Sequence, residues 1–116
     1  MKNELFYWGP VIVYMLGIFY ISSMSSSELP GSDGVDLSPL HIVEYFILSS
    51  LIYRAMESRK LVQMERILLS ILFAVAYGIT DEFHQIFVPG RTFDFIDMIF
   101  NLIGSSLIVY KIRGKK

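Results

Sequence analysis

The sequence predicts an all-α membrane protein of four transmembrane helices with both termini in the cytoplasm. Three observations carry that prediction. The 116 residues are 53% hydrophobic, with a mean hydropathy of +0.52, which is too apolar for an ordinary soluble domain and too short for two domains. The apolar residues gather into four segments separated by polar or breaker-rich stretches. Almost all of the lysines and arginines then fall on one side of the implied topology. A single domain over residues 1–116 follows, and the bilayer is its first partner. With a net charge of −1 there is no basic field to attract nucleic acid, and with no cysteine there is neither a disulfide nor a thiolate metal site.

The first segment runs from Leu5 to Met24, with Pro10 near its start. Lys2 precedes it and serines follow, as in a signal peptide, but its apolar run exceeds the 7 to 15 residues of such a segment, so a retained helix is expected. Ser22 to Pro39 reads as a flexible loop in which Glu28, Asp33 and Asp36 are solvated. The second segment, Leu40 to Tyr53, is short against the roughly 20 residues of a spanning helix. It lengthens if it begins near Ser38, with Pro39 in the first turn, where a missing N–H costs no helical bond. The third runs from Ile67 to Phe87 and is ended by the breaker pair Pro89-Gly90. The fourth runs from Phe93 to Tyr110.

Lys2, Arg54, Arg59, Lys60, Arg66, Lys111, Arg113, Lys115 and Lys116 share one side of this topology, and Arg91 is the exception. The positive-inside rule makes that side cytoplasmic, with Tyr7, Trp8, Tyr53 and Tyr110 as its interfacial aromatics. The rise of an α-helix then gives depths. Above the inner boundary Glu44 lies at about 15 Å, His41 at about 20 Å, Asp81 at about 22 Å, His84 at about 27 Å, Asn101 at about 15 Å, Asp97 at about 21 Å and Asp94 at about 25 Å. Three helices therefore carry polar groups into one layer, in the outer half of a hydrocarbon core about 30 Å thick. At 100° per residue Asp94, Asp97, Asn101, Gly104 and Ser105 share a face of the fourth helix. Tyr77, Thr80, Asp81 and His84 share one on the third, which turns Glu82 away, and His41 and Glu44 are neighbours on the second. A carboxylate facing lipid costs about 2.5 to 3.5 kcal/mol, so these faces are expected to turn toward each other.

Three stretches carry a resemblance: FYISSM (Phe19 to Met24), HIVEYFILSSL (His41 to Leu51) and YGITDEFHQIFVPGRTFDFIDMIFNLIG (Tyr77 to Gly104). Its most specific residues are Asp81-Glu82, His84-Gln85, Pro89-Gly90-Arg91, Asp97, Asn101 and Gly104. On these the sequence resembles the VanZ-like family of small multi-pass membrane proteins, named for an accessory protein of teicoplanin resistance. Members of that family often carry an acidic-lysine pair before the second-helix histidine. Here Leu37-Ser38-Pro39-Leu40 stands in its place. The resemblance implies a context of cell-envelope chemistry and names no reaction.

Glu44, Asp81, Glu82, Asp94 and Asp97 face Arg91 as the one permanent positive charge of their side. Such an imbalance in a low-dielectric layer has three resolutions: protonated carboxylates, cationic histidines or a bound cation. His41, Glu44, Asp81 and His84 are ligand types for a divalent metal, with an i, i+3 pair from each of two helices. His41, Glu44, Asp81, Glu82, His84 and Asp97 are equally the candidates for general acid–base catalysis, since histidine exchanges protons near neutral pH. Arg91 either grips a phosphate or carboxylate of a substrate or pairs with Asp94. Gln85 and Asn101 complete the candidate substrate contacts, although an interhelical structural role suits them too, as it does Thr80. Two classes of function remain. One is a membrane enzyme acting on a lipid-linked or cell-wall precursor at the outer leaflet. The other is a non-catalytic lipid-binding or transport-like module, which in so small a bundle calls for an oligomer. Nucleotide-binding loop, nucleophile elbow and haem or flavin signatures are all lacking from the sequence.

Overall fold

A computed structural model describes residues 4–23, 40–88 and 95–113. Within them the chain is all helical, without a strand: α1 (Glu4–Ser22), α2 (Leu40–Ala55), a 3₁₀ turn (Met56–Ser58), α3 (Gln63–Gln85), α4 (Phe95–Ser106) and α5 (Ile108–Arg113). Three helices are long and apolar enough to cross a membrane, namely Glu4–Ser22, Gln63–Gln85 and the joined Phe95–Ile112. That is one fewer than the four expected. The difference is α2, whose 16 residues make about 24 Å of helix, and the extension proposed through Ser38 and Pro39 lies outside the described residues.

Successive helices alternate in direction. Arg59 at the end of α2 pairs with Glu4 at the start of α1, 3.3 Å away, and Arg66 in the first turn of α3 donates to the Tyr53 carbonyl at 2.8 Å while stacking on its ring. One end of the bundle therefore gathers arginines. Pro10 sits inside α1 rather than at its start, and having no N–H it leaves the Phe6 carbonyl without its usual helical donor. Arg54 supplies one, donating to that carbonyl at 3.2 Å and lying over the Phe6 ring. At the start of α3 the Glu65 carboxylate accepts the Val62 N–H, the one half of a capping box that a valine at the N-cap allows.

The helix α2 contacts every other described element, while Leu40, Val43 and Ile47 on its free side stay exposed. Its Tyr45, Leu48 and Ile52 join Tyr7, Val11 and Ile18 of α1 and Ala74 of α3 in the main apolar core. The outer surface is apolar as well, with Leu5, Val13, Leu16, Leu68, Leu72, Phe95 and Ile99 all exposed. Helices apolar on both their inner and outer faces are suited to lipid surroundings. The fourth apolar segment divides at Leu107, whose N–H is shared between the Ile103 and Gly104 carbonyls. Gly104, Ser105 and Ser106 are poor helix formers. The break is tolerated because Ile108 and Ile112 beyond it pack on Ile67.

Gly104 sets the distance between α2 and α4. A Cβ built there would lie within 2.8 Å of the Ile42 carbonyl carbon and 2.9 Å of its Cα, and closer still to its oxygen. Backbone thus meets backbone, and next to that contact the Ser49 hydroxyl donates to the Ser105 carbonyl at 3.1 Å.

Candidate functional site

The polar layer forms at the end of the bundle away from the arginines. At the start of α2 His41 reaches across to α4: its Nδ1 lies 3.0 Å from Asn101 Oδ1 and its Nε2 lies 3.7 Å from Asp97 Oδ2. One turn along α2, Glu44 Oε1 lies 3.8 Å from the same Nδ1. The ring is stacked nearly parallel to Tyr45, with centroids 6.3 Å apart, and His41, Glu44 and Asp97 all keep a partial exposure. Glu44 interacts electrostatically with Asp81 of α3 as well as with Asp97. Residues from three helices therefore do converge, as their depths imply.

The facing of α3 differs from expectation. Its buried stripe runs Ala74, Gly78, Asp81, Glu82, Gln85, so Glu82 points inward and is fully buried, while Thr80 is exposed and bonds back to the Tyr77 carbonyl. The cause is Gly78. A Cβ there would come 2.6 Å from Asn101 Nδ2 and 3.2 Å from the Tyr45 ring, so this glycine turns its face onto α2 and α4. Glu82, four residues on, shares that face.

His84 lies apart from His41. Its Nε2 is 3.0 Å from Ser23 Oγ, and its ring stacks on Phe19 with centroids 4.4 Å apart. Gln85 donates to Ser22 Oγ at 3.0 Å, so the last turn of α3 is tied to the end of α1 by two side-chain bonds. Arg91 and Asp94 lie outside the described residues. Among the described residues no three of histidine, aspartate and glutamate are arranged to hold a metal ion.

Tyrosines line the layer in a way that the pattern of charges gave no reason to single out. Tyr77 donates to the Met15 carbonyl at 2.6 Å, and Tyr14 to the Glu44 carbonyl at 3.0 Å, so α1 is pinned over the site from both sides. The Tyr45 hydroxyl is buried without a hydrogen-bond partner and interacts with Asp81, Glu44, Tyr77 and Glu82. The available signal is spacing, since Tyr45 lies four residues after His41 and so on its face.

Chemically, the layer offers one histidine held between an amide and two carboxylates, beside two further buried carboxylates, in apolar surroundings. Such a group can bind a polar or cationic moiety or exchange a proton with it. Comparison with curated proteins and with solved structures returns no match. A family model described as VanZ/LLP1 matches residues 8–113, nearly the whole length, including every helix of the site. The chain belongs to the VanZ/LLP1 family.

Proposed function

We propose that this protein is a multi-pass protein of the cell membrane that binds, and acts on, a lipid-linked or cell-wall precursor through the His41 layer. In this reading both termini are cytoplasmic and the layer faces the outer leaflet. The arginine-rich end supports the orientation, because positively charged ends are retained inside. The observation that carries the reading is the meeting of His41, Glu44, Asp97 and Asn101 inside an apolar bundle. Ionisable groups placed at membrane depth are costly and mark paths or sites. Of these residues, His41, Glu44 and Asp97 serve as the acid–base set, with Asp81 and Glu82 behind them and Asn101 orienting the ring. His84 and Gln85 belong to the rim beside α1, where Arg91 and Asp94 follow in sequence as anion-binding candidates.

The test uses purified protein in lipid nanodiscs and a photoreactive polyprenyl-linked cell-wall precursor. Labelling is expected for the wild type and to fall at least tenfold in Asp97→Asn. Equal labelling of the two proteins rejects the site. By the resemblance the biological setting is glycopeptide resistance, so expression should raise survival on teicoplanin, and Asp97→Asn should remove that gain. A binding role without catalysis is distinguished by the fate of the precursor, which is recovered unchanged after incubation.

A further inference from the structure

The ring of His41 has a different neighbour at each nitrogen. On the Nδ1 side stand Asn101 Oδ1 at 3.0 Å and Glu44 Oε1 at 3.8 Å. An amide oxygen and a carboxylate oxygen are both acceptors, so a hydrogen on Nδ1 meets two acceptors, one of them at hydrogen-bond distance, where a hydrogen on Nε2 meets one at 3.7 Å. On the Nε2 side stands Asp97 Oδ2 at 3.7 Å. Asn101 is 2% exposed, and its amide nitrogen is packed against the bare Cα of Gly78. Turning the amide over would place its N–H₂ on His41 Nδ1 and leave that unprotonated nitrogen facing Glu44, so the Glu44 oxygen favours the observed orientation.

We propose that Asn101 is a positioning residue that locks neutral His41 in its Nδ1–H tautomer, leaving Nε2 as the nitrogen that exchanges a proton with Asp97 and with whatever the site binds. In one state Nε2 is protonated and Asp97 is a carboxylate; in the other the same proton is on Asp97 Oδ2 and Nε2 is bare. No other atom changes its bonding. The groups facing the ring are Glu44 on its own helix and Asp97 on α4, while Asp81 of α3 acts on it through Glu44. Gly78 serves the same end by leaving room for the amide, and the stacked Tyr45 ring keeps the imidazole plane in register. The role assigned to Nε2 rests on reading the layer as a site; the tautomer itself does not.

The chain has two histidines, so a sample labelled with ¹⁵N only in histidine gives two ring systems, and the His84→Gln variant assigns them. In nanodiscs neutral His41 is expected to show a protonated Nδ1 and an unprotonated Nε2, with Nε2 the nitrogen that changes on acidification. Asn101→Ala should move the neutral ring toward the Nε2–H form, and Asn101→Asp, which keeps an oxygen near Nδ1, should restore the wild-type pattern. A wild-type Nε2–H tautomer overturns the inference, as does an unchanged tautomer in folded Asn101→Ala. If Asn101→Ala fails to fold, the wild-type spectrum decides alone. Failure of precursor labelling would leave these spectra untouched, so the two proposals fail separately.

Discussion

Replacing Gly104 by alanine should do more damage than one methyl group suggests. The new Cβ would meet the backbone of Ile42, at 2.8 Å from its carbonyl carbon, where carbon atoms rest at about 3.5 to 4.0 Å. No side chain can rotate away, because the obstacle is the helix itself. The axes of α2 and α4 must therefore separate by about 1 Å at this level, with an overpacking cost of about 1 to 3 kcal/mol. His41 is the neighbour of Ile42, and Asn101 is one turn from Gly104, so the opening also acts on their bond. Lengthening it by about 1 Å from 3.0 Å carries it beyond hydrogen-bonding range. The assay is reversible unfolding in mixed micelles, read beside the ¹⁵N-histidine spectrum. Gly104→Ala should lose stability and shift the His41 resonances while leaving those of His84 in place. A variant as stable as the wild type with an unchanged His41 spectrum would refute the claim that Gly104 sets the α2–α4 distance.

Other outcomes follow from single contacts. Tyr45→Phe removes a buried hydroxyl without a hydrogen-bond partner, so unfolding should show a change within about 0.5 kcal/mol or a gain; a larger loss would mean the hydroxyl is bonded. Tyr77→Phe removes the 2.6 Å bond to the Met15 carbonyl and should cost about 0.6 kcal/mol, at most about 1.7, with faster amide exchange in α1 and unaltered exchange in α4. Ser49→Ala loses an interhelical bond of similar strength, and its precursor labelling should equal that of the wild type. Because the chain has no cysteine, Lys60→Cys gives a single label site; a membrane-impermeant maleimide should fail to reach it in intact cells and should modify it after lysis.

A shared level along the bundle was legible in the sequence because it depends only on counting residues from an arginine or lysine, and the convergence of His41, Glu44, Asp97 and Asn101 came out of that count. Facing on α3 was not. A polar residue was the natural guide to the inner face, yet the helix turned to satisfy Gly78, whose lack of a side chain lets Asn101 and Tyr45 approach. That rotation brought Glu82 in and left Thr80 outside. The extent of α2 was legible, since the apolar segment Leu40 to Tyr53 is the helix Leu40–Ala55 to within two residues, and the extension through Ser38 lies outside the described residues. The division at Leu107 depends on Ile108 and Ile112 finding Ile67 across the bundle, a tertiary fact that periodicity within one segment does not contain.

The contact of α2 with every other described element has a consequence for how the protein comes into being. Among the described helices, α1, α3 and the joined α4 and α5 are each apolar and long enough to enter a bilayer unaided, whereas α2, with the histidine, is held by its neighbours. Both side chains that His41 touches across the bundle, Asp97 and Asn101, belong to the last of these helices. A ribosome that has delivered α1, α2 and α3 has therefore made none of the His41–α4 couple. The couple can form only after α4 has been made, so a chain in the membrane that stops short of α4 lacks it.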